Sequence, residues 1–206
     1  MDGESFRAAV DKVEIENVLS RAIVARDSGL WAELADCYHP DATLTTSWFA
    51  GSPQEFVTKS QEMKIARQGG ESQKHMSSNY WIEVDGNRAV AECDTILYQR
   101  RIIESVELDF TTWSRRLQLL EKRSGTWRIW RLTYIYEKDR MDLARPDQMA
   151  SRLFASMDLS NYPRQIRFHC WRNDMVGFPP SKTICLKGSE KEAEVRTEAR
   201  RWIAGR

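Results

Sequence analysis

The spacing of apolar residues changes from mainly helical to a sustained period of two near residue 75, and that change sets the fold class. Before it the spacing is mainly helical. Ala9, Val13, Ile15, Val18, Leu19, Ala22 and Ile23 predict a helix over 9–26, with charges on its other side. Asp27-Ser28-Gly29 breaks that pattern, and Leu30, Trp31, Leu34 and Ala35 predict a short second helix closed by a turn at His39-Pro40-Asp41. A short strand is expected over 42–49. Ser52-Pro53-Gln54-Glu55 then places an N-cap serine, a proline at the first helical position and a glutamate three residues after the cap. The third helix should run from there to about Arg67, followed by a loop from Gln68 to Ser72. From His75 the period is two. Strands are expected over 75–84, 88–100, 105–122 and 126–137, with Asp85-Gly86-Asn87 and Ser124-Gly125 as turns. Three helices followed by a meander of long strands is an α+β order. It implies a curved antiparallel sheet with three helices packed over its concave face and a pocket between the layers.

Other features narrow the functional classes. The 31 basic and 30 acidic residues leave a net charge of +1 with both signs mixed along the length, so no basic field is offered to a nucleic acid. No apolar run approaches the length of a membrane span, and residues 1–12 are polar and acidic, unlike a signal peptide. A cytoplasmic protein with no membrane partner is the expectation. Cys37, Cys93, Cys170 and Cys185 match neither a CxxC pair nor a zinc pattern, and read as small buried hydrophobes in a reducing compartment. His39, His75 and His169 lie far apart, so no metal is expected, and the Gly69-Gly70 pair lacks the lysine and serine of a phosphate loop. Residues 141–206 break the strand rhythm with Pro146, Pro163, Pro179 and Pro180 before a polar helix over 189–204. They read as a C-terminal extension packed on the 1–140 domain or on a neighbouring subunit.

Three stretches carry a family resemblance. Arg26-Asp27-Ser28-Gly29-Leu30-Trp31 through Leu34-Ala35-Asp36-Cys37-Tyr38-His39-Pro40-Asp41-Ala42 resembles the helix-turn-helix opening of SnoaL-like proteins. Ile82-Glu83-Val84-Asp85-Gly86-Asn87-Arg88-Ala89 resembles their central hairpin, and Gly125-Thr126-Trp127-Arg128-Ile129 the start of their last strand. The order and spacing of the three pieces match over roughly residues 9–140. The resemblance implies the cone-shaped fold of the nuclear transport factor 2-like superfamily, which holds scytalone dehydratase, lindane dehydrochlorinase, ketosteroid isomerase and polyketide cyclases beside members that only bind or assemble. In the dehydratase and dehydrochlorinase branch an aspartate after the first helix orients a histidine at the start of the sheet, and the histidine is the base. Asp27 and His75 stand at those two places. The pattern also departs from that branch. The dehydratase's second histidine has no assigned position in the pattern, with His39 in the expected turn and His169 in the extension, and Arg21 is only a loose substitute for the dehydrochlorinase's lysine.

A histidine titrates near neutrality, so it can take a proton from carbon beside a carbonyl and return it, a contribution of about 10²–10⁴ in rate. A buried carboxylate on the far ring nitrogen fixes the tautomer. The function implied is a cofactor-independent lyase or isomerase, a dehydratase by preference, acting on a small hydrophobic carbonyl or hydroxy compound. His75 would be the base, Asp27 its positioner, and Trp48 and Asn79 would shape the substrate site, Asn79 because it shares strand parity with His75. Arg131 reads as an acid anchor or, by preference, a surface ion pair, and Glu104, Glu107 and Asp109 as the solvated face of a strand. The alternative is a non-catalytic cone that binds a ligand or scaffolds a partner, as a dioxygenase β-subunit does. A homo-oligomer is expected, since open sheets of this kind pair through their outer face.

Overall fold

The computed structural model describes residues 3–67, 69–147 and 150–205. Gln68 of the expected loop and positions 148, 149 and 206 of the extension lie outside the described residues. Helix α1 (Gly3–Ser28) buries Ile15, Val18, Leu19, Ala22 and Ala25. It stops where Gly29 turns into the left-handed region at φ +81 and returns its N–H to Ala25 O at 2.9 Å. Asp27 is thereby left in the last helical turn. A short α2 (Trp31–Asp36) leads into β1 (Tyr38–Thr45), and β2 (Ala50–Gly51) folds back on it. Helix α3 (Pro53–Ile65) starts with a complete capping box, Ser52 accepting from Glu55 N and Glu55 accepting from Ser52 N.

The meander is longer than its sequence pattern: β3 (Ser72–Asp85), β4 (Arg88–Ile103), β5 (Val106–Arg123) and β6 (Thr126–Leu143). These four pair antiparallel in chain order. Two parallel pairings widen the sheet, β1 beside β6 and the two-residue β7 (Cys185–Leu186) beside β6. The first of these corrects the turn expected at His39-Pro40-Asp41. Those residues lie in β1, and the register shift between Tyr38 and Thr43 accommodates a proline that has no N–H for the ladder. His39 is buried and its Nε2 lies 2.9 Å from Glu121 O.

Residues beyond β6 pack on both faces of the sheet. Helix α4 (Ser151–Ser156) and α5 (Arg167–Met175) set Leu153 and Trp171 against Leu108 and Phe110 at the far end of the concave face. Helix α6 (Glu190–Ile203) crosses the convex face, where Val195 and Ala199 meet Leu117, Leu119 and Ile135. Arg196 forks onto the buried Glu92 with contacts of 2.8 and 2.9 Å, and Arg115 adds a third at 2.9 Å. Helices α1 to α3 cover one end of the concave face and α4 and α5 cover the other. Among the described residues, no helix is long and apolar enough to cross a membrane.

Candidate active site

Asp27 and His75 meet where α1 ends against β3. Asp27 Oδ1 lies 2.7 Å from His75 Nδ1, and Oδ2 accepts the His75 backbone N–H at 2.7 Å. The carboxylate therefore fixes both the ring and the strand that carries it. Gln73 Nε2 adds a longer bond to Oδ1 at 3.4 Å. Burial pushes the Asp27 pKa up, but the hydrogen bonds and charge of His75 outweigh it and the net shift is downward. His75 is 5% exposed, and burial draws its pKa below the ordinary value against the opposing pull of Asp27. An ionised Asp27 beside a neutral His75 puts the ring proton on Nδ1 and leaves the lone pair on Nε2.

Nε2 faces a cavity between the helices and the sheet. Arg26, one residue before Asp27, reaches over it, with Nη1 3.3 Å from Nε2. A guanidinium can only donate, so this contact agrees with a lone pair on Nε2. The Arg26 guanidinium also lies 5.0 Å from the centre of the Phe56 ring and 5.6 Å from that of Trp48. Trp48 stacks on Phe56 at 5.8 Å and lines the cavity.

Asn79 does not reach the site, which corrects its expected role. A bulge between Ser78 and Trp81 inserts one residue into β3, and Asn79 takes the left-handed φ of +55 within it. Parity is lost there. Asn79 is exposed and donates to Asp94 Oδ2 at 2.7 Å, and Trp81 is turned to the convex face beside α6. Arg131 lies outside the cavity too, paired with Glu198 of α6. Arg21 bonds Asp36 at 3.1 Å and takes no place in the lining.

The opposite wall comes from the extension. His169, Arg172 and Asn173 share one face of α5 and all line the cavity. His169 is buried, its Nε2 is 2.6 Å from Ser47 Oγ, and its Nδ1 is 3.1 Å from Thr112 Oγ1 and 3.3 Å from Arg172 Nη2. Asn173 Nδ2 lies 3.2 Å from Nε2, so the ring meets a donor on each nitrogen, Arg172 at Nδ1 and Asn173 at Nε2, with the Ser47 and Thr112 hydroxyls beside them. Burial first, then the charges of Arg172 and His75, hold the His169 pKa well below the ordinary value. Its backbone N–H donates to Asp139 at 2.8 Å, and burial raises that carboxyl to about 6. Tyr134 and Tyr136 stack at 5.9 Å along a third wall, and Tyr136 Oη accepts Ser47 N–H at 2.9 Å. The open space is small, about 30 Å³, room for a few waters at most.

A family description, the SnoaL-like domain, matches residues 7–133 of this chain. The chain belongs to the SnoaL-like domain family. The pea pathogenicity protein 2 of Fusarium vanettenii is 25% identical over 211 residues, a match that takes in 96% of this chain and 87% of the relative. Among solved structures, a type 2 hexachlorocyclohexane dehydrochlorinase is similar at a TM-score of 0.61 and 12% identity, over 71% of this chain and 99% of that one. A scytalone dehydratase-like protein of Novosphingobium aromaticivorans is similar at a TM-score of 0.58 and 16% identity, over 71% and 99%. These structural likenesses establish a nuclear transport factor 2-like fold, which its members use for many purposes. The sequence match with the fungal protein, by contrast, runs through nearly the whole chain, extension included.

Proposed function

We propose that this SnoaL-like protein is a cofactor-independent lyase, a dehydratase in which His75 is the general base and Asp27 positions it. The observation that carries the reading is the 2.7 Å contact between Asp27 Oδ1 and His75 Nδ1, with Nε2 turned into an enclosed cavity. In this reading Arg26 swings off Nε2 as substrate enters. Nε2 then takes a proton from the carbon beside the substrate carbonyl, and Asp27 stabilises the imidazolium that forms. The β-hydroxyl leaves with its bonding pair, takes the proton back from Nε2 and departs as water, and a carbon–carbon double bond remains. Arg26, displaced toward the carbonyl oxygen, faces the charge that develops there. Trp48, Tyr134 and Tyr136 supply apolar walls for a small hydrophobic compound.

Turnover of a panel of β-hydroxy ketones, followed by the absorbance of the enone product, tests this. His75→Gln should lower kcat/KM by about 10²–10⁴ while the protein stays folded. Equal rates for parent and variant would sink the proposal. A second reading, a ligand-binding or scaffolding cone, draws support from the narrow cavity and from the Arg26 contact on Nε2. It is favoured if no member of the panel is turned over while small ligands still bind.

A further inference from the structure

We propose that the cavity takes a substrate bearing a carboxylate, and that Arg172 of the C-terminal extension holds that group. The inference rests on the reading of this cavity as a substrate site and narrows its chemistry.

Arg172 is 2% exposed and lines the cavity opposite His75. Its Nη2 lies 3.3 Å from a neutral ring nitrogen of His169, and its Nε has no hydrogen-bond partner. Among the described residues no carboxylate comes within ion-pair distance of it. The guanidinium lies 5.6 Å from the centre of the Phe110 ring, a weak partner for a full charge. Burying a cation without a counter-ion costs several kcal/mol, so such groups are normally paired. Neutralisation is no escape. Burial, then repulsion from Arg101 and Arg67, draws the Arg172 pKa well below its usual value, but a guanidinium starts so high that it keeps its proton at neutral pH.

The charged side chains of the lining itself have the same sign. The cavity lining contains Arg26 and Arg172 and no aspartate or glutamate. Arg101 is buried behind Gln73, held by the carbonyls of Ser72 and Arg100 at 3.0 and 2.9 Å, and its Nε lies 4.0 Å from the buried side chain of Glu71, whose charge acts on Arg172 from outside the lining without an ion-pair contact. Arg116 is also buried, with Nη2 3.4 Å from Cys93 Sγ, though it stands outside the lining. Asp27 is engaged by His75, and Asp139 by the His169 backbone. A planar carboxylate entering beside His169 would meet the fork geometry that guanidinium matches with two parallel bonds. It would also place the substrate's remaining carbons between Arg172 and Nε2 of His75.

Acetate, butyrate and benzoate, each paired with its neutral amide, serve as probes in calorimetric titrations of the full chain. At least one acid should bind about 10-fold or more tightly than its amide. Arg172→Gln should erase that preference and leave amide binding unchanged. Arg172→Met should raise the Tm of the ligand-free protein, because it removes an uncompensated buried charge, and benzoate should then no longer raise it further. Acids and amides binding alike in the parent, or a preference that survives Arg172→Gln, would overturn the proposal. So would inorganic phosphate binding as tightly as the best acid, since that marks a general anion hole. If Arg172→Gln does not fold, the acid-to-amide comparison in the parent decides. His75→Gln should keep the acid preference. An intact preference beside an inert His75 separates failure of the lyase reading from failure of this one.

Discussion

Asp27 gives one carboxylate to two donors on the same residue, the His75 ring and the His75 backbone. An asparagine in its place has one acceptor oxygen, so one of those donors would face an N–H₂ group. Asp27→Asn should therefore cost about 1–3 kcal/mol in urea unfolding, the range for an unsatisfied buried donor, and should free the His75 ring to adopt the wrong tautomer. Under the proposed lyase reading the kcat should fall along with the urea midpoint, and a variant with parental stability would show that the second bond is replaceable. At this scale the chain was unevenly legible. Asp27 and His75 were named because their setting resembles a family, since nothing in a separation of 48 residues brings them together. His169 is set aside by its place in the extension, and Arg172 and Asn173 carry no mark of a site in the sequence. Their spacing of three and four puts the trio on one helix face, but a polar trio normally marks a solvated face, and here that face is buried.

Among the elements, those written in local chemistry were read and those that depend on distant partners were not. Helix α3 is the clearest local case, because the Ser52–Glu55 capping box satisfies two of its free N–H groups. Ser52→Ala should lower stability by about 1 kcal/mol, seen as a shift of the urea midpoint at unchanged slope. An unchanged midpoint would mean that the packing of Phe56 and Met63 alone holds the helix. The hairpins at residues 86 and 125 were equally readable, both glycines having positive φ. The parallel pairing of β1 with β6 left no local mark, so a His-Pro-Asp sequence inside a strand looked like a turn. The bulge that removes Asn79 from the cavity is of the same kind, since a strand pattern is blind to one inserted residue.

For the whole molecule, two neutral buried histidines set the response to acid. Both have folded pKa values below the ordinary one because burial disfavours the imidazolium. As the pH falls through about 6.5 the unfolded chain binds protons that the folded protein refuses, so stability is full above that value and declines below it. Each such histidine adds a slope of up to ~1.4 kcal/mol per pH unit. Asp139 acts the other way. With its carboxyl at about 6 in the folded state, it takes a proton before its unfolded counterpart does and adds stability as the pH drops toward 4. Two histidines against one carboxyl leave a net loss. Urea unfolding between pH 5 and 8 should show it, and His169→Gln should give a shallower dependence whatever its own stability. A flat profile in the parent would contradict the buried neutral state of both rings.

One wall of the cavity is made by the residues around Asp27 and the facing wall by α5, almost at the other end of the chain. The two walls are tied where Ser181 N–H donates to Ser47 O at 2.7 Å and where Phe178 meets the edge of Trp48. During synthesis the first helices and the meander leave the ribosome while the residues that close the cavity are still unmade. Until α5 emerges, the concave face at Leu108 and Phe110 stands open to water, and the nascent chain carries His75 with no chamber around it. A ribosome stalled, or a protease cutting, anywhere before α5 leaves a product of the same kind: most of a sheet, an Asp–His pair, and no enclosed site.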